Sequence, residues 1–332
     1  NIDMDKIAKM GFPDSRIISI GSVPNNAPFR QQAALFRFRT LNLGGKYDFY
    51  IIGGDWAVSA AVNHKPNLWY VHSPPRELWD LYSHIRENLL HKYKRFPYDA
   101  WVFWNRLLYR KYVREVDTIA CNSKNVQERI KKYLGRDASV VYPPVDTSLY
   151  YFLHNGNFWL SVNRLFAHKR IEMQMRAFAK LPEEQLVIVG SYEKSSHFQQ
   201  YVSYIESITS PNVRILSWVD AEMLRALYAR CKGFITTSKD EDFGMSAVEA
   251  MAAGKPVIAP NEGGYCESVV DGITGKLIMD IDEQKLIEAI KVIGKNPKQF
   301  KNACLQRAKE FDTNAFIREM RKLIFTTQTA SY

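Results

Sequence analysis

Short apolar runs rich in β-branched and aromatic residues alternate along the chain with stretches whose apolar positions recur at helical spacing. Asn1–Met10 reads as a helix fragment, Arg16–Ile20 as a strand and Phe29–Leu41 as a basic, aromatic helix. Strands are expected at Tyr47–Ile52, Asn67–Val71 and Ala138–Tyr142. A further run from Asp117 leads into a capped helix over Ser123–Leu134. Past the stiff link Pro143-Pro144-Val145-Asp146, where Asp146 is a hinge or cap residue, the pattern restarts. It gives strands at Phe158–Val162, Leu186–Val189, Val213–Val219, Gly233–Thr237 and Pro256–Ala259. Helices are expected from Ile171, over Gly244–Ala253, over Asp282–Ile293 and over Phe311–Phe325. This is an α/β pattern, and 332 residues are enough for two domains.

Candidate chemistry concentrates in Thr236–Glu262, a strand, loop, helix, strand unit whose loop lies where doubly wound sheets bind ligands. Glu241 sits on the loop and Glu249 inside the helix. The unsatisfied N–H groups near Phe243, Gly244 and Met245 form a helix N-terminus suited to a phosphate. Carboxylates on either side of such a site can accept bonds from sugar hydroxyls. A solvated helix face is the alternative for Glu249. Arg164 and Lys169 stand at an earlier strand-to-helix turn, where two cations can clamp a diphosphate. Asp240-Glu241-Asp242 imitates a metal-binding Asp-x-Asp, but the surrounding string explains these residues without a metal, and none is expected.

The string Glu241-x7-Glu249, with Phe243-Gly244, Glu249-Ala-Met-Ala-Ala-Gly254 and Pro256-Val-Ile-Ala259, resembles the retaining GT-B glycosyltransferases of the family 4 (group 1) type. Asp242, where many members have Gly, is similar to the mannosyltransferase and O-antigen branch. The resemblance implies two Rossmann-like parallel-sheet domains facing a cleft. Residues 1–150 would form the acceptor-binding domain and 151–310 the nucleotide-sugar domain. A C-terminal helix in 311–332 would return to the first. It implies a hexose, mannose from GDP-mannose being favoured, transferred with retention to a glycan or lipid-linked acceptor. UDP-glucose or UDP-N-acetylglucosamine transfer, or a non-catalytic sugar-nucleotide or lipid-binding subunit, are the alternatives. By the same resemblance Glu241 contacts the donor sugar and Glu249 the ribose. Gly244, Met245 and Ser246 bind the diphosphate, and Arg164 and Lys169 offset its charge. No residue stands out as a covalent nucleophile. Family members usually begin with a strand and a glycine-rich loop, which are expected to be missing ahead of Arg16.

The string Tyr70-Val-His72-Ser-Pro-Pro-Arg76-Glu-Leu-Trp79-Asp80 is similar to a segment of that branch. It implies a donor-sugar contact at His72 and an acceptor-phosphate contact at Arg76; the prolines fix a rigid loop there. Asp55, at a strand end, is an acceptor-site candidate. Gly190 and Val219, in loops after strands of the second half, are candidates for the base pocket.

Charge changes the picture in one place. Residues 1–150 carry 22 Lys/Arg against 14 Asp/Glu, whereas the remainder carries 23 against 21. The excess peaks in His91–Arg114, where Asp99 is the one acidic residue among basic and aromatic neighbours. Lys92, Lys94, Arg95, Trp101, Trp104, Arg110 and Lys111 suit a lipid headgroup boundary. The competing expectation packs Trp101, Trp104, Leu108 and Tyr112 on the sheet. No RNP, KH or zinc-finger pattern accompanies them, so nucleic acid is not expected. Cys121, Cys231, Cys266 and Cys304 have no metal-binding spacing and suit a reducing compartment. The expected location is cytoplasmic, with a peripheral seat on the inner face of the cell membrane left open. No cofactor is expected beyond the nucleotide-sugar donor.

Overall fold

The computed structural model describes residues 17–24, 26–190, 196–217 and 219–329. The expected helix at Asn1–Met10 lies outside them. Of the expected strand Arg16–Ile20, residues 17–20 join no sheet, and Ile17 and Ile18 are exposed. The chain divides into two compact units, one of residues 1–121, 126–139 and 321–332, the other of residues 122–125 and 140–320.

The first unit carries a four-stranded sheet in the order β1 (Tyr50–Gly53), β2 (Asn67–Val71), β3 (Thr118–Cys121), β4 (Ser139–Val140). Strands β1, β2 and β3 pair in parallel. β2 is buried along its whole length, which its unbroken Leu-Trp-Tyr-Val run dictates. The edge strand β1 instead alternates buried and exposed residues. Around the sheet lie α1 (Phe29–Thr40), a 3-10 segment Trp56–Val62, α2 (Lys92–Arg114) and α3 (Lys124–Leu134). Small residues let the 3-10 segment bury completely over Ala57–Ala61 against α1, where the Ser59 hydroxyl donates to the Leu35 carbonyl at 2.8 Å.

The second unit holds a six-stranded parallel sheet in the order β10-β9-β8-β5-β6-β7. Its strands are β5 (Phe158–Val162), β6 (Gln185–Val189), β7 (Val213–Leu216), β8 (Gly233–Ile235), β9 (Val257–Pro260) and β10 (Gly275–Ile278). The order runs outward from β5 in one direction and from β8 in the other, so the topological switch point lies between those two strands. Between strands run α4 (Ile171–Ala179), α5 (Ser196–Ser207), α6 (Ala221–Arg230), α7 (Met245–Ala252) and α8 (Tyr265–Ser268). After β10 come α9 (Glu283–Lys295), α10 (Lys301–Lys309) and α11 (Thr313–Thr329). Trp159, Phe178, Tyr228, Phe234 and Tyr265 are fully buried and anchor the core. Asp146 caps a short 3-10 turn by accepting from the Ser148 N–H at 3.1 Å. The last residues of α11 group with the first unit, where Thr327 and Thr118 share a hydroxyl hydrogen bond of 2.7 Å.

Candidate functional site

At the switch point of the second unit, the turn after β5 and the loop after β8 are tied together by a buried network. Thr237, fully buried, donates its hydroxyl toward the carbonyls of Lys169 (2.8 Å) and Arg170 (3.0 Å) and accepts from Gln174 Nε2 at 2.9 Å. The Arg170 guanidinium donates to the Thr237 carbonyl at 2.6 Å and pairs with Glu262. Arg170 holds a left-handed backbone conformation, φ 50°, that turns the chain into α4.

The consequence is geometric. Lys169 Nζ and Glu241 Oε2, 72 residues apart in the chain, meet at 2.5 Å, and Ser238 Oγ donates to the same oxygen at 2.5 Å. Both partners of the ion pair are largely buried. Burial pushes the Glu241 carboxyl up, but the Lys169 charge and hydrogen bond, with Ser238, outweigh it and hold the group below the usual carboxylate range. The Glu241 loop is fixed from behind. Asn125 Nδ2 donates to Asp240 Oδ1 at 3.1 Å and to the Glu241 carbonyl at 2.9 Å, and Ser123 Oγ donates to the Asp242 carbonyl at 2.6 Å.

Gly244 precedes α7 in a left-handed conformation, φ 86°, and no side chain caps the helix. A Cβ at Gly244 would lie 2.4 Å from the Tyr265 ring, so only glycine fits the turn that opens α7, where the first N–H groups have no intrahelical partner. The Phe243 ring is buried on Tyr142 and Phe311, so the group it can offer a ligand is its backbone. Glu249 does not lie on a solvated face. Its carboxylate accepts from Tyr228 Oη at 2.8 Å and also from Tyr150. Burial raises the Glu249 carboxyl above its ordinary value against the lowering effect of both phenols.

Gly190 and Val219, distant in sequence, line one cavity of about 270 Å³ at the ends of β5, β6 and β7, together with Arg164, Asn163 and Ser217. Arg164 is exposed there. A Cβ at Gly190 would lie 2.5 Å from the Asn163 carbonyl, and Gly263 and Gly264 are likewise needed for close approach to the 240–243 backbone, where added Cβ atoms would lie 2.4–2.6 Å from main-chain atoms.

In the first unit, His72 follows β2, is exposed and packs edge-on against Tyr70 with ring centroids 5.2 Å apart. The adjoining Ser73 hydroxyl accepts from the buried Arg129 at 3.0 Å. Arg76 is engaged by Asp80, Nη2 to Oδ2 2.6 Å. The Asp55 carbonyl accepts from Tyr109 Oη at 3.0 Å. Helix α2 buries Val102, Asn105, Tyr109 and Val113. Of the expected headgroup contacts, Lys92, Lys94, Trp104, Arg110 and Lys111 are exposed, whereas Arg95 and Trp101 are half-buried. Trp101 packs on Trp56 and Tyr98, and Trp104 does not pack on the sheet.

Ser238, Asn125, Tyr150 and Tyr228 hold the two glutamates and carried no expectation. Ser238 is three residues from Glu241 in a polar loop and was open to notice. The tyrosines reach Glu249 only through tertiary packing. Arg170, next to Lys169 in sequence, locks the Lys169 turn to the Glu241 loop through the Thr237 carbonyl and Glu262. Among the described residues, no group of three or more metal-ligating side chains assembles.

Comparison with known proteins adds an independent line. The family profile described as "Glycosyl transferases group 1" matches residues 152–311, and "Glycosyltransferase Family 4" matches residues 9–149. The "Alpha-1,3/1,6-mannosyltransferase ALG2" of Candida glabrata is 29% identical over 74% of this chain and 66% of its own. That of Saccharomyces cerevisiae is 30% identical over 63% of this chain and 49% of its own. The chain thus matches between about half and two thirds of the length of these relatives. Among solved structures, sucrose-phosphate synthase from Thermosynechococcus elongatus superposes with a TM-score of 0.73 at 18% identity, covering 91% of this chain and 79% of its own. HepE from Anabaena, in complex with UDP and glucose, gives 0.70 at 20% identity, covering 93% and 84%.

Proposed function

Because this chain belongs to the group 1, family 4 glycosyltransferases and has their GT-B fold, we propose that it transfers a hexose from a nucleotide donor to a glycan or lipid-linked acceptor, with retention of anomeric configuration. Mannose from GDP-mannose is the favoured donor, because the curated relatives named above are mannosyltransferases. The reading rests on one observation. The lysine assigned to the diphosphate and the glutamate assigned to the sugar arrive from separate strands and meet at 2.5 Å at the switch point of the second sheet.

In this account the Met245 and Ser246 amides and the cations Arg164 and Lys169 stabilise the charge that grows on the departing diphosphate. An ammonium has three protons, so Lys169 can hold Glu241 and a phosphate oxygen together. Glu241, kept ionised by Lys169, accepts from sugar hydroxyls. Glu249 has acceptor capacity left beyond its tyrosines for a ribose hydroxyl. Gly190 and Val219 border the base. On the first unit, His72 contacts the sugar, and Arg76 reaches an acceptor phosphate while sharing its guanidinium with Asp80; Asp55 is the weaker acceptor contact. The leaving group is neutralised by protein groups, so no metal is called for.

A uridine donor is the second reading, favoured by the UDP and UDP-glucose complexes of HepE. The test is release of GDP from GDP-mannose against release of UDP from UDP-glucose, with and without EDTA. Faster GDP release, insensitive to EDTA and cut ~100-fold by His72→Ala at unchanged donor affinity, is the expected result. Faster UDP release would overturn the donor. Loss of activity with EDTA would overturn the metal-free mechanism.

A further inference from the structure

The outer face of α2 carries a row of exposed large apolar side chains. Tyr93, Phe96, Phe103, Trp104 and Leu107 are 73%, 81%, 64%, 61% and 47% exposed. At 3.6 residues per turn these positions, with Ala100, fall within an arc of about 100° on a stripe about 21 Å long. The buried residues Val102, Asn105, Tyr109 and Val113 lie on the opposite side. Isolated apolar residues on a surface mean little, but a contiguous row on a single helix marks a site that meets something.

The charge around the row identifies the partner. Exposed Lys92 and Lys94 stand at its beginning and Lys111 and Arg114 at its end, whereas Arg110 is turned onto the Trp79 ring and the Tyr133 carbonyl. Asp99, the acid within the helix, is taken up by Arg86 at 2.8 Å and by the Tyr82 hydroxyl at 2.7 Å. Exposed acids flank the helix in sequence at Glu87 before it and at Asp117 after it, and Asp117 is paired with Lys65 at 2.6 Å. A row of aromatic and aliphatic side chains ending in cations matches a bilayer interface, where rings enter the headgroup boundary and ammonium and guanidinium groups meet lipid phosphates. A protein partner would leave those cations needing paired acids. Among the described residues no helix is long and apolar enough to cross a membrane, so contact through α2 would be lateral.

We propose that α2 docks the protein on an anionic bilayer surface, inserting Tyr93, Phe96, Phe103, Trp104 and Leu107 and placing Lys92, Lys94, Lys111 and Arg114 against lipid phosphates. The inference stands apart from the donor chemistry, because it uses none of the residues assigned to the nucleotide-sugar.

Co-sedimentation of the full chain with vesicles tests it. Vesicles of phosphatidylcholine containing about a third phosphatidylglycerol should capture the protein, and phosphatidylcholine alone should capture at least tenfold less. The variant Phe96→Ser/Phe103→Ser/Trp104→Ser should lose at least tenfold of the binding to anionic vesicles. Lys92→Glu/Lys94→Glu/Lys111→Glu should abolish the preference for anionic over neutral lipid. Both variants alter exposed positions, so their circular dichroism and nucleotide binding should match the parent. Failure to bind anionic vesicles, or equal binding by the aromatic variant, would overturn the proposal. A dimer in sedimentation velocity that the aromatic variant dissolves, without vesicle binding by either protein, would assign the face to a second copy instead.

Discussion

Lys255 carries a charge into the second core. Its side chain is fully buried, donates to the His154 carbonyl at 2.6 Å and lies 4.2 Å from the Phe152 ring centroid, with Lys301 equally close to that ring. Burial pushes its ammonium down from 10.5 to about 8. Between those values the unfolded chain holds a proton that the folded chain has released, so stability rises with pH across that window. Thermal unfolding from pH 7.5 to 10.5 should show that rise in the parent and a flatter profile in Lys255→Met. Identical profiles would mean that Lys255 does not titrate there. The same scale separates what sequence can and cannot convey about the site. Lys169, Glu241 and Glu249 can be singled out as candidates because they stand in contiguous motifs. Their partners are not, because Thr237, Tyr150 and Tyr228 gain their meaning only when strands and helices distant in the chain pack together.

Elements fare better than contacts. The apolar runs at Asn67–Val71 and Phe158–Val162 become strands with those same limits, since a run buried on both faces needs no partner information to be recognised. Edges are less legible. Tyr47–Ile52 shrinks to Tyr50–Gly53, and Ala138–Tyr142 to two residues, because ladder pairing decides where a strand begins. The turn into α7 is the element on which the phosphate site depends. Gly244→Ala forces a side chain into a left-handed conformation, costing about 1–2 kcal/mol. It also drives the new methyl into the fully buried Tyr265, adding about 1–3 kcal/mol. Denaturant unfolding should report a loss of about 2 kcal/mol or more, with weaker nucleotide binding in the folded protein. Wild-type stability would show that Tyr265 yields and that the turn is not fixed by glycine. Helix α2 teaches the converse lesson. Its composition drew attention, but which aromatics face outward depended on the register in which Val102, Tyr109 and Val113 dock, and that register turned Trp101 inward and Trp104 out.

At the scale of the molecule, alternating strands and helices gave the α/β class, and the motif at 241–259 gave its GT-B variety, which the two family profiles and the structural superpositions support. The sheet order β10-β9-β8-β5-β6-β7 could not be read from spacing, yet it is this order that makes β5 and β8 neighbours and brings their loops together. The central claim is that those loops hold a nucleotide-sugar. Isothermal titration of the chain with GDP, UDP, GDP-mannose and UDP-glucose, repeated with Lys169→Ala and Glu249→Ala, tests it most directly. The account predicts guanine-selective binding that each substitution weakens ~10–100-fold, a loss of about 1.4–2.8 kcal/mol. Binding of none of the four ligands, or binding indifferent to both substitutions, would contradict it.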